Sequence, residues 1–348
     1  MDRVIQACYG AGADGLPALR ARLLRELHRA VSFDAAFMAA ADPETLLFTA
    51  AFADEPLVEA GPMFLDNEFD ASPDVNRFAA LAIAADPVAS LDRATSGERE
   101  TSARSREIMT PLGMGDEARV ALRVDGATWG FLCLHRSGPI GFDQRELAVM
   151  GRLAPYIGDA IRRTVAAATM GDRGADVGAN GLVIVADDQV VALGGAAEHW
   201  LAALGFQAIA PGDRVPLPLL AVARRLEALE VSDATGPTPS ARLATTSGEL
   251  VQLHATRLRY ASDTGAIALS IAPADSAQRA SLLLAAHGLT PAQRRVAELV
   301  LHGCTTRQIV LQLRISEHTV QDHLKAIFDK LGVRSRRELV TAVMRPLH

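Results

Sequence analysis

Three copies of one short pattern near the C-terminus constrain the fold of this chain more than any other feature. Thr290 with Gln293, Thr305 with Gln308 and Ser335 with Glu338 each set a hydroxyl residue three positions before Gln or Glu. In that arrangement two side chains satisfy the unpaired amides at a helix start. Pro291 follows the first pair, where its missing N–H costs nothing. Gly303 and Gly332 stand where the first and third helices should stop, and Ser316 can cap the third. The spacing predicts four short helices, over 291–302, 306–313, 317–331 and 336–344.

Winding the third of these at about 100° per residue puts Val320, Leu324, Ile327 and Leu331 on one buried face. His318, Gln321, Asp322 and Lys325 then project together from the other side. With Ile309, Val310 and Leu313 on the preceding helix and only Arg314-Ile315 between, the pair reads as a helix-turn-helix whose second helix can enter a major groove. Charge agrees. Residues 289–348 carry ten Lys plus Arg against five Asp plus Glu, although the whole chain has a net charge of −6. A basic end on an acidic chain suits a nucleic-acid contact.

At this point the stretch LTPAQRRVAELVLHGCTTRQIVLQLRISEHTVQDHLKAIFDKLGVRSRRELV resembles the LuxR-type DNA-binding domain. It departs from that pattern at Gln293 and Gln308, where Glu is frequent, at Val310, where Ala is frequent, and at Gln321, often basic. The resemblance implies base contacts from Gln321, Asp322 and Lys325. It implies phosphate contacts from Thr319, His323, Lys330, Arg334, Ser335 and Arg336. Glutamine at 321 suits adenine, whereas Asp322 can only accept, for example from cytosine. Leu339 and Val343 resemble the family's dimer contact, with Thr341-Ala342 beside them, and the domain's own core is the other reading of both. A homodimer reading two half-sites of double-stranded promoter DNA is therefore expected.

Upstream the pattern differs. Leu19, Leu23, Leu24, Leu27 and Val31 fall at helical spacing over 16–31. Runs at 35–40 and 46–52 around Asp42-Pro43-Glu44 predict a hairpin, and 54–115 predicts short helices broken by Pro and Gly, notably 75–85 and 105–109. Strands at 119–124 and 128–135 around Asp125-Gly126 predict a second hairpin. A long helix from 142 to about 170 follows, which Pro155 should kink. This order resembles a GAF sensory domain. After a glycine-rich stretch, strands at 181–186 and 189–193 and a helix at 196–204 resemble the opening of a PAS-like domain, with Gly194-Gly195 where such domains often carry Asn. Strands with turns at Ser247-Gly248 and Thr264-Gly265 would close it. A helix over 280–287, capped by Gly288, would lead into the C-terminal part.

The expected organisation is multidomain. Residues 1–170 form a GAF-like domain with its exit helix, 171–180 a linker, and 181–274 a PAS-like domain, both α+β with antiparallel sheets. Residues 275–288 form a linker helix, and 289–348 an all-α four-helix domain.

Among 348 residues lysine occurs only at Lys325 and Lys330. That excludes a GxxxxGK[ST] phosphate loop, a Schiff-base lysine and an SxxK nucleophile. No Gly-x-Ser-x-Gly occurs, and Asp187-Asp188 reads as a hairpin turn, so no catalytic site is expected. His318 and His323 stand five apart and no HExxH or Cys-His cluster occurs, so neither a metal nor a cofactor is expected. Cys133 and His135 share one strand face. Such a pair can carry a chromophore or haem attachment, but a core cysteine is the reading adopted. Three cysteines, far apart, build no disulfide framework. No apolar run of eighteen residues and no basic-then-apolar start occurs, so a cytoplasmic chain with no membrane contact is expected.

These features together predict a one-component transcription regulator, in which an unidentified small-molecule or protein signal on the first 274 residues controls the DNA module. The alternative is a binding adaptor whose C-terminal module serves mainly in dimerisation.

Overall fold

The computed structural model describes residues 1–9, 15–70, 74–169, 179–232, 238–259 and 265–344. Helices α1 (Asp2–Tyr9) and α2 (Gly15–Leu27) precede the hairpin β1 (Ala35–Ala41) and β2 (Phe48–Ala53). The irregular region contains α3 (Gly61–Phe69), α4 (Phe78–Ile83), β3 (Val88–Ser90), α5 (Leu91–Ala94) and a π-helical turn at Ser105–Met109. Then β4 (Met114–Val124) and β5 (Ala127–Ser137) form a long hairpin, and α6 (Gln144–Thr169) leaves the unit. Asp125 and Gly126 both adopt positive φ, as a two-residue turn of this twist demands.

The second unit runs β6 (Gly181–Ala186), β7 (Gln189–Gly195), α7 (Ala197–Ala203), α8 (Leu217–Ser232), β8 (Ser240–Ala244), β9 (Leu250–Arg257) and β10 (Ile267–Pro273). Its antiparallel sheet has the order β7-β6-β10-β9-β8, and the first unit's sheet the order β2-β1-β5-β4-β3. Both therefore place their strands second-first-fifth-fourth-third, one topology used twice. The C-terminal part comprises α9 (Ser276–Ala286), α10 (Pro291–Leu301), α11 (Thr306–Leu313), α12 (Glu317–Leu331) and α13 (Arg336–Met344).

The first unit's sheet is buried on both faces. Leu132 and Leu134 of β5 pack with Leu153, Ile157 and Ile161 of α6 and with Leu19 and Leu23 of α2. Phe131 and Cys133, pointing the other way, join Leu65, Phe78 and the second unit's Trp200, Leu219 and Leu253 in one core. Nine consecutive residues of β5 are accordingly buried, the signature of a two-sided strand. Gly158 allows α6 to lie directly on β4, because a Cβ there would sit 2.8 Å from the Leu122 carbonyl oxygen.

Four expectations change in detail. Helix α6 begins at Gln144 rather than 142, with the Asp143 carboxylate accepting from the Arg145 and Glu146 amides, and it continues through Pro155 as one helix. Helix α9 begins four residues early, because Asp275 and Gln278 form a further capping box. Helices α1 and α8 fall where no element was expected. The linker over 171–180 and Thr264 of the expected Thr264-Gly265 turn lie wholly or largely outside the described residues. Among the described residues no helix is long and apolar enough to cross a membrane.

Candidate functional site

Two sites emerge, one on the surface of the C-terminal module and one buried upstream. In the module the caps form as their spacing demands. Thr290 and Gln293, and Thr305 and Gln308, make reciprocal boxes, and the Ser316 hydroxyl accepts from the Thr319 amide. The third box is shifted by one residue. Ser335 Oγ accepts from the Glu338 amide, but the Glu338 carboxylate receives the Arg334 amide rather than that of Ser335. Between α11 and α12 the chain turns at Arg314, a non-glycine residue in the left-handed region. Val320, Leu324 and Ile327 are buried against Val296, Val300 and Ile309, and this fixes the roll of α12.

That roll presents Gln321, Asp322 and Lys325 to solvent together, next to His318. His318 Nε2 lies 3.5 Å from the Asp322 carboxylate, so Asp322 gains a cationic neighbour only when His318 is protonated. Thr319 and His323 are half-buried at the flanks, and Thr319 Oγ1 is 2.8 Å from Ser316 Oγ. Arg334 is exposed and Ser335 half-buried at the entry to α13.

Lys330 and Arg336, expected at phosphates, donate within the module in this structure. Lys330 Nζ donates to the Gly288 carbonyl at 2.6 Å and to Gln293 Oε1 at 3.0 Å, joining the end of α12 to the segment before α10. Arg336 donates to the Cys304 carbonyl and to Thr306 Oγ1, both at 2.8 Å, which ties α13 to the start of α11. Buried carbonyls near these positions need donors, and the nearest long cations supply them. Leu339 and Val343, expected at a dimer contact or in the domain's own core, lie in that core. They are 0% and 7% exposed within the module's own core, whereas Thr341 and Ala342 stay exposed beside them.

The module is not a free appendage. Leu282, Ala285 and Ala286 of α9 pack in the first unit's core, while Ala280 and Leu284 of the same helix pack in the module's core. Arg162 of α6 donates to the Ala286 carbonyl at 2.7 Å, which caps the C-terminal end of α9 with a cation.

The buried site is a cavity of about 380 Å³ on the second face of the first unit's sheet. Phe37, Phe48, Phe52, Phe64 and Phe78 line it, and Leu217 of α8 closes it from the second unit. The position a Cβ would take on Gly61 is 3.0 Å from a Leu217 methyl, so α3 and α8 meet closely there. Its polar end is built by β4 and β5, where Glu117 faces His135 and Arg119 faces Cys133 across the ladder. Arg104 Nε donates to Glu117 at 2.7 Å, Arg119 Nε lies 3.1 Å from the same carboxylate, and Arg119 also pairs with Glu68. Cys133 Sγ lies 3.5 Å from the Glu117 carboxylate and 3.2 Å from His135 Nε2.

Burial by itself would raise the Glu117 carboxyl, but the two guanidinium groups hold it down at about 2. Burial pushes His135 down to about 4, so its ring is neutral at pH 7, and pushes the Cys133 thiol well up. Cys133 is thus a protonated thiol and a poor nucleophile. The donor atoms of Glu117, Cys133 and His135 lie within 4.8 Å of one another, close enough to share a metal ion. Arg104 and Arg119 already occupy that carboxylate and oppose a cation. Sequence reasoning identified Cys133 and His135 as sharing a face but missed Glu117, Arg104, Arg119 and Glu68, which come from other segments.

Residues 287–343 match the family of bacterial regulatory proteins described as the luxR family, and residues 16–161 match the GAF domain. The spore germination protein GerE of Bacillus subtilis is 40% identical over 57 residues, which are 16% of this chain and 77% of that protein. The probable HTH-type transcriptional regulator GfsR of Streptomyces halstedii is 38% identical over 50 residues, 14% of this chain and 21% of that protein. A crystal structure of the VqsR LBD domain from Pseudomonas aeruginosa superposes with a TM-score of 0.31 at 16% identity, covering 47% of this chain and 93% of that one.

Proposed function

Because this chain belongs to the luxR family of bacterial regulatory proteins, we propose that it is a one-component transcription regulator that reads promoter DNA through α12. The observation that carries this reading is the exposed polar face of Gln321, Asp322 and Lys325, on a helix whose opposite face is locked into a helix-turn-helix core. Gln321, Asp322 and Lys325 read base edges, and Thr319, His323, Arg334 and Ser335 hold the backbone and fix register. Two copies bind two half-sites, and the exposed Thr341 and Ala342 on α13 are the contact available to the pair. Reading DNA places the chain in the cytoplasm.

Upstream, residues 16–161 act as the GAF sensory domain and the second unit as a PAS-like partner with the same strand order. The cavity between them receives the signal, and α9, shared by both cores, carries the response. A ligand shifts DNA binding only by as much as it prefers one arrangement of α9 over another. Fluorescence anisotropy of the full-length chain on its own upstream DNA tests the reading. Affinity should fall steeply as salt rises, because phosphate contacts release counterions. A flat salt dependence, or equal affinity for promoter and scrambled duplexes, would refute sequence-specific reading.

A further inference from the structure

We infer that the cavity closed by Leu217 takes an uncharged, largely apolar small molecule, held jointly by the GAF unit and by α8 of the second unit. This rests on the reading of that cavity as the signal site. Its walls are mainly apolar, with five phenylalanines among them, and its volume of about 380 Å³ lies at the small end of the range for small-molecule sites. Phe78 stacks on Phe131 at 4.6 Å between ring centroids and on Phe37 at 6.1 Å, so the aromatic wall packs on itself and holds its shape.

The charges decide the class. Arg20 pairs with Asp54, Arg119 pairs with Glu68 and Glu117, and Glu117 also pairs with Arg104. Each cation on the wall therefore has an anion already, and each anion a cation. At the Arg119 end, where the paired side chains are buried, a charged ligand would have to break a pair and leave its partner uncompensated, which costs more than a surface pair returns. An uncharged ligand leaves the network whole. Hydrogen bonding is less complete than charge. Arg20 Nε and His135 Nδ1, on two wall residues, are buried without a hydrogen-bond partner. A carbonyl or hydroxyl on the ligand carries the lone pairs that an unpaired N–H needs, whereas a hydrocarbon carries none.

The partition of the wall adds a consequence. Because Leu217 belongs to α8, an occupant touches both sensory units at once, and truncating Leu217 should loosen it without altering the GAF fold.

The test uses the full-length chain and two naphthalene probes of similar body: prodan, an uncharged ketone, and anilinonaphthalene sulfonate, an anion. Prodan fluorescence should shift to the blue and saturate at one probe per chain, with the sulfonate at least roughly tenfold weaker, a difference of about 1.4 kcal/mol. Ala51→Trp, on the cavity wall, should abolish saturable prodan binding, and Leu217→Ala should weaken it severalfold. If Ala51→Trp fails to fold, Val58→Trp at the exposed rim supplies the same readout. Should the sulfonate bind as tightly as prodan and be lost in the same variant, the site stands and the uncharged class is wrong. If neither probe saturates, the cavity is no ligand site and the sensory reading fails with it.

Discussion

At the scale of single residues, the module separates cations that face solvent from cations that face carbonyls. Lys325 is exposed on α12, whereas Arg336 already donates twice within the module. Lys325→Ala should therefore reduce discrimination at one base pair by ~1–3 kcal/mol, read by anisotropy on duplexes carrying single base-pair changes. Arg336→Ala should instead lower the stability of the module by ~1–3 kcal/mol, because two oxygens lose their donors. Unchanged melting of that variant with uniformly weaker DNA binding would return Arg336 to the phosphates.

The polar end of the cavity predicts a response to acid. An unfolded histidine takes up a proton as pH falls through about 6.5, but buried His135 resists until about 4. Glu117, held at about 2, resists protonation below the range of an ordinary carboxyl. For both groups the unfolded chain binds protons first, so stability is lost as pH falls. The first loss should come between pH 6.5 and 4 from His135, and the second from about 4.5 towards 2 from Glu117. Urea midpoints at pH 7, 6 and 5 should decline, and His135→Gln should flatten that decline. A midpoint independent of pH over this span would contradict the burial of a neutral imidazole.

Among the elements, the helices of the C-terminal part were legible because caps and C-terminal glycines act within four residues and need no partner from elsewhere. The observed Thr306–Leu313, Glu317–Leu331 and Arg336–Met344 have the bounds that the caps imply. Thr305→Ala should cost ~1 kcal/mol by removing a cap acceptor. Arg314→Gly should act in the opposite sense, relieving a left-handed non-glycine turn worth up to ~1 kcal/mol. Denaturant midpoints that moved the same way for both variants would show that the turn, rather than the cap, had been misjudged. The sensory elements were less legible. Cys133 and His135 could be placed on one face by alternation alone, but Glu117 could not be set opposite His135. Counting back from the Asp125-Gly126 turn puts Glu117 against Leu134. An irregularity between Ala121 and Arg123 shifts the ladder by one residue and brings Glu117 to His135.

For the whole molecule, the joints between units carry the argument. Arg242 of β8 donates to Asp42, at the end of the first hairpin's β1, through its amide, Nε and Nη2 at 2.9, 2.8 and 2.6 Å. Both side chains are buried, and Arg242 also reaches the Gln278 carbonyl of α9 at 3.4 Å. One guanidinium thus meets both sheet-bearing units and the helix that leads to the helix-turn-helix module. Asp42→Ala should cost ~1–3 kcal/mol, because Arg242 loses three hydrogen bonds at once and keeps only the half-exposed Glu44 carboxylate at 3.2 Å. Calorimetry should then show two heat-absorption peaks where the parent chain shows one. A single, merely shifted peak would mean that the apolar contacts of α9 and α8 couple the units without this joint.

The sequence by itself determined the four-helix module, the exposed polar face of α12 and the two hairpin-rich units before it, since caps, turns and apolar periods are local instructions. The tertiary structure decided how those parts share surfaces. Burial of apolar area has no direction and does not name its partner. Only the folded chain could therefore place α9 in two cores, close the Phe-lined cavity with a leucine from the next unit, bury Leu339 and Val343, and engage Lys330 and Arg336 with the module's own oxygens.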